Sequence, residues 1–334
     1  MRTYILSTLC LAASISCLHS PSKKVLGVSS PTAPSIIHDF GPGYWLENLY
    51  IRSNGQILTT SQSSPELYLI DTYTSERTLV HTFPNRSPGL TGLGGIVETS
   101  QDTFAIILGD LNHTTLAGVE GSFSIWTINL TGYPDQEPIV KEIASLPDSA
   151  FLNGLTTLED RTTVLACDSF YGSIYRIDTL TGEVELALAS DNTTLSPPGQ
   201  QWVIGIDGIK IYRPHGSEVA YLYYTNYMGQ GYYRVPIDPY VGTPAGPAEV
   251  LGTGLGIGLD DININRSGTS WISVSHESKI IKVESTGGVH VAAESPDLRF
   301  VTAVRQGRTR DNYTKLYFST GLGKVGFIDV SRSL

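Results

Sequence analysis

The sequence predicts an all-β fold: a six-bladed β-propeller with four-stranded antiparallel blades. Three observations predict it. A short motif, a small or polar residue inside an apolar run, recurs six times, with starts spaced 47, 59, 54, 53 and 42 residues apart. Each recurrence is followed by short alternating runs separated by turn residues, as half-buried strands require. Glycine (34) and proline (18) are too frequent for a helical bundle and suit a chain of tight turns. One unit of four short strands cannot bury both its faces, so six of them must stack around an axis.

The units follow in order. Their first strands begin at Leu46-Glu47-Asn48-Leu49, Leu93-Gly94-Gly95-Ile96, Leu152-Asn153-Gly154-Leu155, Ile206-Asp207-Gly208-Ile209, Leu259-Asp260-Asp261-Ile262 and Val301-Thr302-Ala303-Val304. Second strands are expected at 57–60, 104–108, 164–167, 221–225, 271–275 and 316–320. Third strands, often opened by Gly or Ser, are expected at 66–71, 121–129, 172–178, 231–238, 278–284 and 323–329. A turn such as Thr181-Gly182 or Gly287-Gly288 leads to a weaker fourth strand, for example 184–189 or 290–293. The sixth unit stops soon after its third strand. Residues 35–40 are expected to supply its outer strand, which closes the ring and removes an exposed edge.

Ahead of the repeats, residues 1–20 read as a secretory signal: Arg2, an apolar run from Ile5 to Ile15, and small residues including Ala12, Ala13, Ser14 and Ser16. That run is too short to span a bilayer. Residues 21–34 read as a linker, and 35–334 as a single propeller. Six Asn-x-Ser/Thr acceptors, at Asn85, Asn112, Asn129, Asn192, Asn265 and Asn312, use more than half of the 11 asparagines. Signal and sequons together predict the secretory pathway or an extracellular destination. Of the three cysteines, Cys10 lies inside the signal. Cys17 could pair with Cys167 if cleavage falls before it; otherwise Cys167 is a lone buried thiol.

Charge narrows the partners. Lys+Arg number 22 and Asp+Glu 32, a formal net charge of −10. That balance argues against nucleic acid and against an anionic membrane surface. No segment after the signal is long and apolar enough to span a membrane, which leaves small molecules as the expected partners.

Equivalent entry positions should meet at one mouth of the axial channel. Those positions hold Glu47, Gly94, Asn153, Asp207, Asp260 and Thr302. Three carboxylates and a carboxamide in one ring suit two chemistries. Hard oxygen donors hold Ca²⁺ or another divalent cation. Alternatively, crowded carboxyls without a cation hold a proton and act as acids. Loops around the same mouth carry Tyr44, Trp45, Phe151, Tyr171, Trp202, Tyr227, Met228, His276 and Phe300, a wall suited to an apolar or aromatic substrate. Arg305 either faces the channel or pairs with an Asp.

Several of these stretches resemble a known family. Trp45-Leu46-Glu47-Asn48, Leu152-Asn153-Gly154, Asp207-Gly208-Ile209-Lys210 and Leu259-Asp260-Asp261 are similar to the metal-site strands of the senescence-marker-protein/gluconolactonase family. The resemblance implies a six-bladed propeller that hydrolyses lactones with a divalent cation held by one Glu, two Asn and one Asp. Glu47, Asn153 and Asp260 match that ligand set, whereas Asp207 stands where Asn is usual and changes the charge of the site. A closer resemblance is to the fungal secreted branch, through the signal, the WLEN start, PELYLID at 65–71, FLNGLTTL at 151–158 and YYTN at 223–226. That branch includes hetero-Diels–Alderases of tropolone–sesquiterpenoid biosynthesis. It implies an enzyme that assists dehydration of a hydroxymethyl tropolone to a quinone methide and guides its cycloaddition onto a humulene-type alkene. No cofactor is required on that reading. A metal-dependent lactonase and a non-catalytic binding propeller are the alternatives.

Overall fold

The computed structural model describes residues 31–331. Six four-stranded antiparallel sheets are arranged as blades of a propeller, the second carrying one additional short strand. The innermost strands are Leu46–Ile51, Thr91–Ser100, Leu152–Thr157, Ile206–Tyr212, Leu259–Ile264 and Val301–Gln306. In the sixth blade the outer strand is Ser35–Asp39, hydrogen-bonded to Lys324–Asp329, so the ring closes as the sequence predicts. Among the described residues no helix is long and apolar enough to cross a membrane. Cys17 and the signal segment lie outside the described residues.

Burial explains which strands were easy to read. Second strands such as Ile57–Ser61 and Thr163–Asp168 are buried on both faces, because neighbouring blades cover both. Outer strands such as Arg77–Thr82 are largely exposed. The core is therefore divided into packets between adjacent blades. One joins Leu58, Leu67 and Phe83 of the first blade to Leu93, Ile96 and Phe104 of the second. Another joins Tyr68 and Leu49 of the first to Ala303 and Tyr317 of the sixth.

The second blade departs from the sequence reading. Its first two strands extend to Thr91–Ser100 and Thr103–Asn112, well past the expected 104–108. The additional strand Ala117–Gly118 pairs back onto Leu111 and Asn112. This long hairpin rises over one mouth of the channel.

At that mouth every inner strand is bulged. Register against the second strand shifts between Leu46 and Leu49, Leu93 and Ile96, Leu152 and Leu155, Ile206 and Ile209, Leu259 and Ile262, and Val301 and Ala303. Each shift brackets the polar motif. A bulge puts extra residues opposite the partner strand and re-aims a side chain. The motif is thus a geometric device that the sequence repeats in each blade.

The freed backbone carbonyls are tied between blades. Thr60 Oγ1 donates to Gly94 O at 2.9 Å, Thr225 Oγ1 to Asp260 O at 2.6 Å and Ser273 Oγ to Thr302 O at 3.2 Å. Cys167 occupies the same position in the third blade, its Sγ donating to Asp207 O at 2.9 Å. Its thiol is buried and free, and burial pushes its pKa well up, so it is a structural donor and not a nucleophile. Thr302 Oγ1 continues the circuit to Leu46 O at 2.8 Å.

Glycine after the mouth residue leaves space for this contact. A Cβ on Gly154 would lie 2.1 Å from Asp207 O, and one on Gly208 2.6 Å from Asp260 O. Neither backbone oxygen can yield without moving its blade. Gly154→Ala is expected to destabilise the protein by about 3 kcal/mol through overpacking, read as a lowered denaturation midpoint.

The sequons separate by exposure. Asn85, Asn112 and Asn192 are exposed and Asn129 is half-buried. Asn265 and Asn312 are buried, with their Oδ1 atoms accepting backbone N–H groups of Thr269 and Thr309 within turns.

Candidate active site

Glu47, Asn153, Asp207, Asp260 and Thr302 line one cavity of about 350 Å³ at the bulged mouth. Gly94 contributes no side chain there. The neighbouring residues Asp260 and Asp261, which sequence could not tell apart, point to opposite ends of the channel. Asp260 lines the mouth, while Asp261 is bonded to Arg305.

The cavity floor is buried. Glu47, Asn153, Asp207 and Asp260 are each at most 8 % exposed. Burial, opposed in part by the indole N–H that Trp45 donates to Oε2 at 3.1 Å, pushes the Glu47 pKa up to about 7. Burial also pushes Asp207 and Asp260 well above the carboxylate range, with the negative charge of their neighbours adding to the effect. A desolvated carboxyl among like charges holds its proton. Burial and mutual repulsion thus bias the floor carboxyls toward their protonated forms.

The wall is apolar. Trp45, Phe151, Trp202, Tyr227, His276 and Phe300 all line the cavity. His276 stacks on Trp202, with ring centroids 5.0 Å apart, and its Nε2 lies 3.0 Å from Tyr227 Oη. Burial lowers the His276 pKa, which favours the neutral imidazole. A neutral ring beside a phenol can accept or relay a proton.

Three residues expected in the wall sit elsewhere. Tyr44 packs against Phe40 and Tyr68 beneath the Arg77 guanidinium. Tyr171 reaches outward and donates to Glu120 at 3.0 Å. Met228 is buried in the packet between the second and third blades, beside Phe151.

Other lining groups were not anticipated. Gln62 enters from the loop after Ile57–Ser61 of the first blade, and Leu111, His113 and Leu116 belong to the cavity because of the lengthened second-blade strand. His113 Nε2 lies 3.1 Å from Gln62 O and its ring packs 5.7 Å from Trp45. Asp168 works from behind the wall. Its carboxylate accepts the N–H groups of Ala150, Phe151, Phe170 and Tyr171 and so fixes the loop that presents Phe151. Its place at the end of an apolar strand, followed by Ser169, was the available sign.

The floor residues are hard oxygen donors, the amide oxygen of Asn153 beside the carboxyls of Glu47, Asp207 and Asp260. Among the described residues no group of three or more His, Cys, Asp or Glu side chains could hold a metal ion.

Comparison with known proteins agrees with this architecture. No protein-family model matches the chain. Regucalcin from Agrobacterium tumefaciens, described as a calcium-binding protein, superposes with a TM-score of 0.64 at 17 % identity, over 89 % of this chain and 94 % of that one. The chain has the regucalcin-type six-bladed fold. A protein of Phoma sp. named "Putative hetero-Diels-Alderase" is 31 % identical over 241 residues, 66 % of this chain. A second protein of that description, from Sarocladium schorii, is 27 % identical over 292 residues, 80 % of this chain. The matches span 65 % and 68 % of the lengths of these two relatives. The resemblance read from the sequence thus has its counterpart both in relatives and in fold.

Proposed function

We propose that the protein is an enzyme of secondary metabolism, a hetero-Diels–Alderase that forms a quinone methide and guides its cycloaddition onto a hydrophobic alkene. A single observation carries this reading: a cavity walled by aromatic rings whose floor is made of buried carboxyls. Such a cavity suits apolar reactants, with its few polar groups gathered at the base. The names of the two relatives support the reading.

The chemistry follows from the groups present. A hydroxymethyl tropolone loses water: the C–O bond breaks, a proton from Glu47 joins the departing hydroxyl, and the ring hydroxyl gives up its proton. The His276–Tyr227 pair, or an ionised member of the floor, accepts that proton. The resulting neutral heterodiene then adds across a humulene-type alkene, forming one C–C and one C–O bond with no further proton needed. Holding both partners face to face contributes about 7 kcal/mol or more through orientation. The walls exclude the water that would quench the quinone methide. A secretory route, from the signal pattern and the exposed sequons Asn85, Asn112 and Asn192, is part of the same proposal.

Purified protein is incubated with a hydroxymethyl tropolone and humulenol, and adduct formation is followed with its enantiomeric excess. The expected result is acceleration over buffer with one enantiomer in excess, unchanged by EDTA. A racemic product at the buffer rate refutes the proposal. EDTA-sensitive hydrolysis of simple lactones would establish the lactonase reading instead.

A further inference from the structure

The channel has a second mouth, and its chemistry is the reverse of the first. Three residues beyond each of the six entry positions stand Tyr50, Val97, Thr156, Lys210, Asn263 and Arg305. All six line another cavity, of about 650 Å³, at the opposite end of the axis. The same inner strands thus present acids at one end and a basic well at the other.

The wall of this well carries three guanidinium groups, Arg305, Arg308 and Arg161, and the Lys210 amine. Its single carboxylate, Glu159, is already bonded to Arg213 at 2.7 Å. Asp261 and Glu98 lie behind the wall and take only part of the positive charge. Asp261 is bonded to Arg305, with Lys210 Nζ 3.9 Å away and beyond hydrogen-bond reach. Glu98 pairs with Arg308 at 2.5 Å and sits 3.8 Å from Arg161. In a chain of net charge −10, this cluster is not a by-product of an overall basic composition.

Two buried donors are left over after those pairs form. Arg305 Nε and Asn263 Nδ2 have no hydrogen-bond partner among the described residues. Both residues are more than nine-tenths buried and both line the well. The rest of Asn263 is committed, since its Oδ1 accepts Gln306 N at 3.0 Å and so fixes which atom of the amide remains free. Arg305 is likewise held, its Nη2 donating to Asn48 Oδ1 at 3.1 Å. A buried polar atom without a partner costs free energy. Fixed, unsatisfied donors beside four basic groups that share only two carboxylates suit an oxyanion.

We propose that the basic well at the second mouth binds a small oxyanion, a phosphate or a carboxylate, through Lys210, Arg305 and Asn263. Burial together with repulsion from Arg305 lowers the Lys210 pKa to about 7, a strain that a bound anion relieves. The site is separate from the aromatic cavity. It is tied to that cavity mechanically, because Arg305 grips Asn48 and Asp261, the chain neighbours of Glu47 and Asp260.

Inorganic phosphate and acetate are titrated separately into the purified protein by calorimetry, at ionic strength held constant with sodium chloride. The expected result is saturable binding of one anion per chain. Phosphate binding with acetate inert identifies a phosphate ligand, and the reverse identifies a carboxylate. Lys210→Met should weaken binding about tenfold, the loss of one charge-assisted contact. Asn263→Asp keeps the acceptor for Gln306 N but replaces the free donor with negative charge, and should abolish binding. Thermal unfolding without anion checks that each variant folds, and Lys210→Met alone decides if Asn263→Asp does not. Failure of both anions to saturate, or equal affinity in wild type and Lys210→Met, overturns the proposal. Neither readout depends on the reaction at the other mouth.

Discussion

Glu47→Gln is expected to lower the rate of the dehydrative step by about two to three orders of magnitude, the usual share of a general acid. Gln retains the size of Glu and can still accept the Trp45 indole N–H, so the wall should stand and KM should change little. The loss should therefore fall on kcat, as for a group that acts in the transition state only. The pH profile gives the sign. Wild-type activity needs protonated Glu47 and should decline as pH rises through about 7. In Glu47→Gln that limb should vanish from the residual rate. Stability shares the sign: a carboxyl whose folded pKa lies above its unfolded value stabilises the fold below the unfolded value and loses this as pH rises through about 7. The checks are single-turnover rates and denaturation midpoints between pH 5 and 9. A variant as fast as wild type at every pH removes Glu47 from the acid role.

The propeller was legible because each blade repeats one motif, and the motif marks a backbone event. Asn153-Gly154 and Asp207-Gly208 interrupt apolar runs where the strand bulges and the next blade's carbonyl approaches the glycine. Repetition therefore located the floor of the cavity, including Asp207, without any contact being known. The wall was harder. Tyr44 and Trp45 are adjacent and equally aromatic, yet one enters the core between the first and sixth blades and the other the cavity. Only the packing of Phe40 and Tyr68 decides between them. His113 and Leu116 were hidden because nothing in 104–108 says that the strand continues to Asn112. The basic well was within reach of the sequence, since Lys210, Asn263 and Arg305 share one offset from the entry positions. Its orphaned donors, which give the offset meaning, depend on side-chain partners that no spacing reveals.

Arg305→Met is expected to destabilise the protein by about 3–5 kcal/mol, the cost of stranding a buried charge. Arg305 is 6 % exposed and Asp261 3 %. The guanidinium bonds the Asp261 carboxylate, the carbonyls of Val304 and Ile262 at 2.7 and 3.2 Å, and Asn48 Oδ1 at 3.1 Å. Met fills similar volume but returns none of these bonds, so Asp261 would be left with Lys210 at 3.9 Å. At 2–4 °C per kcal/mol in a chain of this size, the melting temperature should fall on the order of 10 °C. The double variant Arg305→Met/Asp261→Leu separates the two contributions. If the penalty is the stranded carboxylate, the second change should restore much of the loss, because a buried ion pair is often no more stabilising than apolar groups of its volume. If the loss instead reflects Asn48 and the two carbonyls, the double variant should be no more stable than the single one. Reaction rate distinguishes them again. A double variant that is stable but slow would show that Arg305 serves the first mouth by positioning the residues beside Glu47 and Asp260. Retained stability and retained rate would confine its role to the basic well.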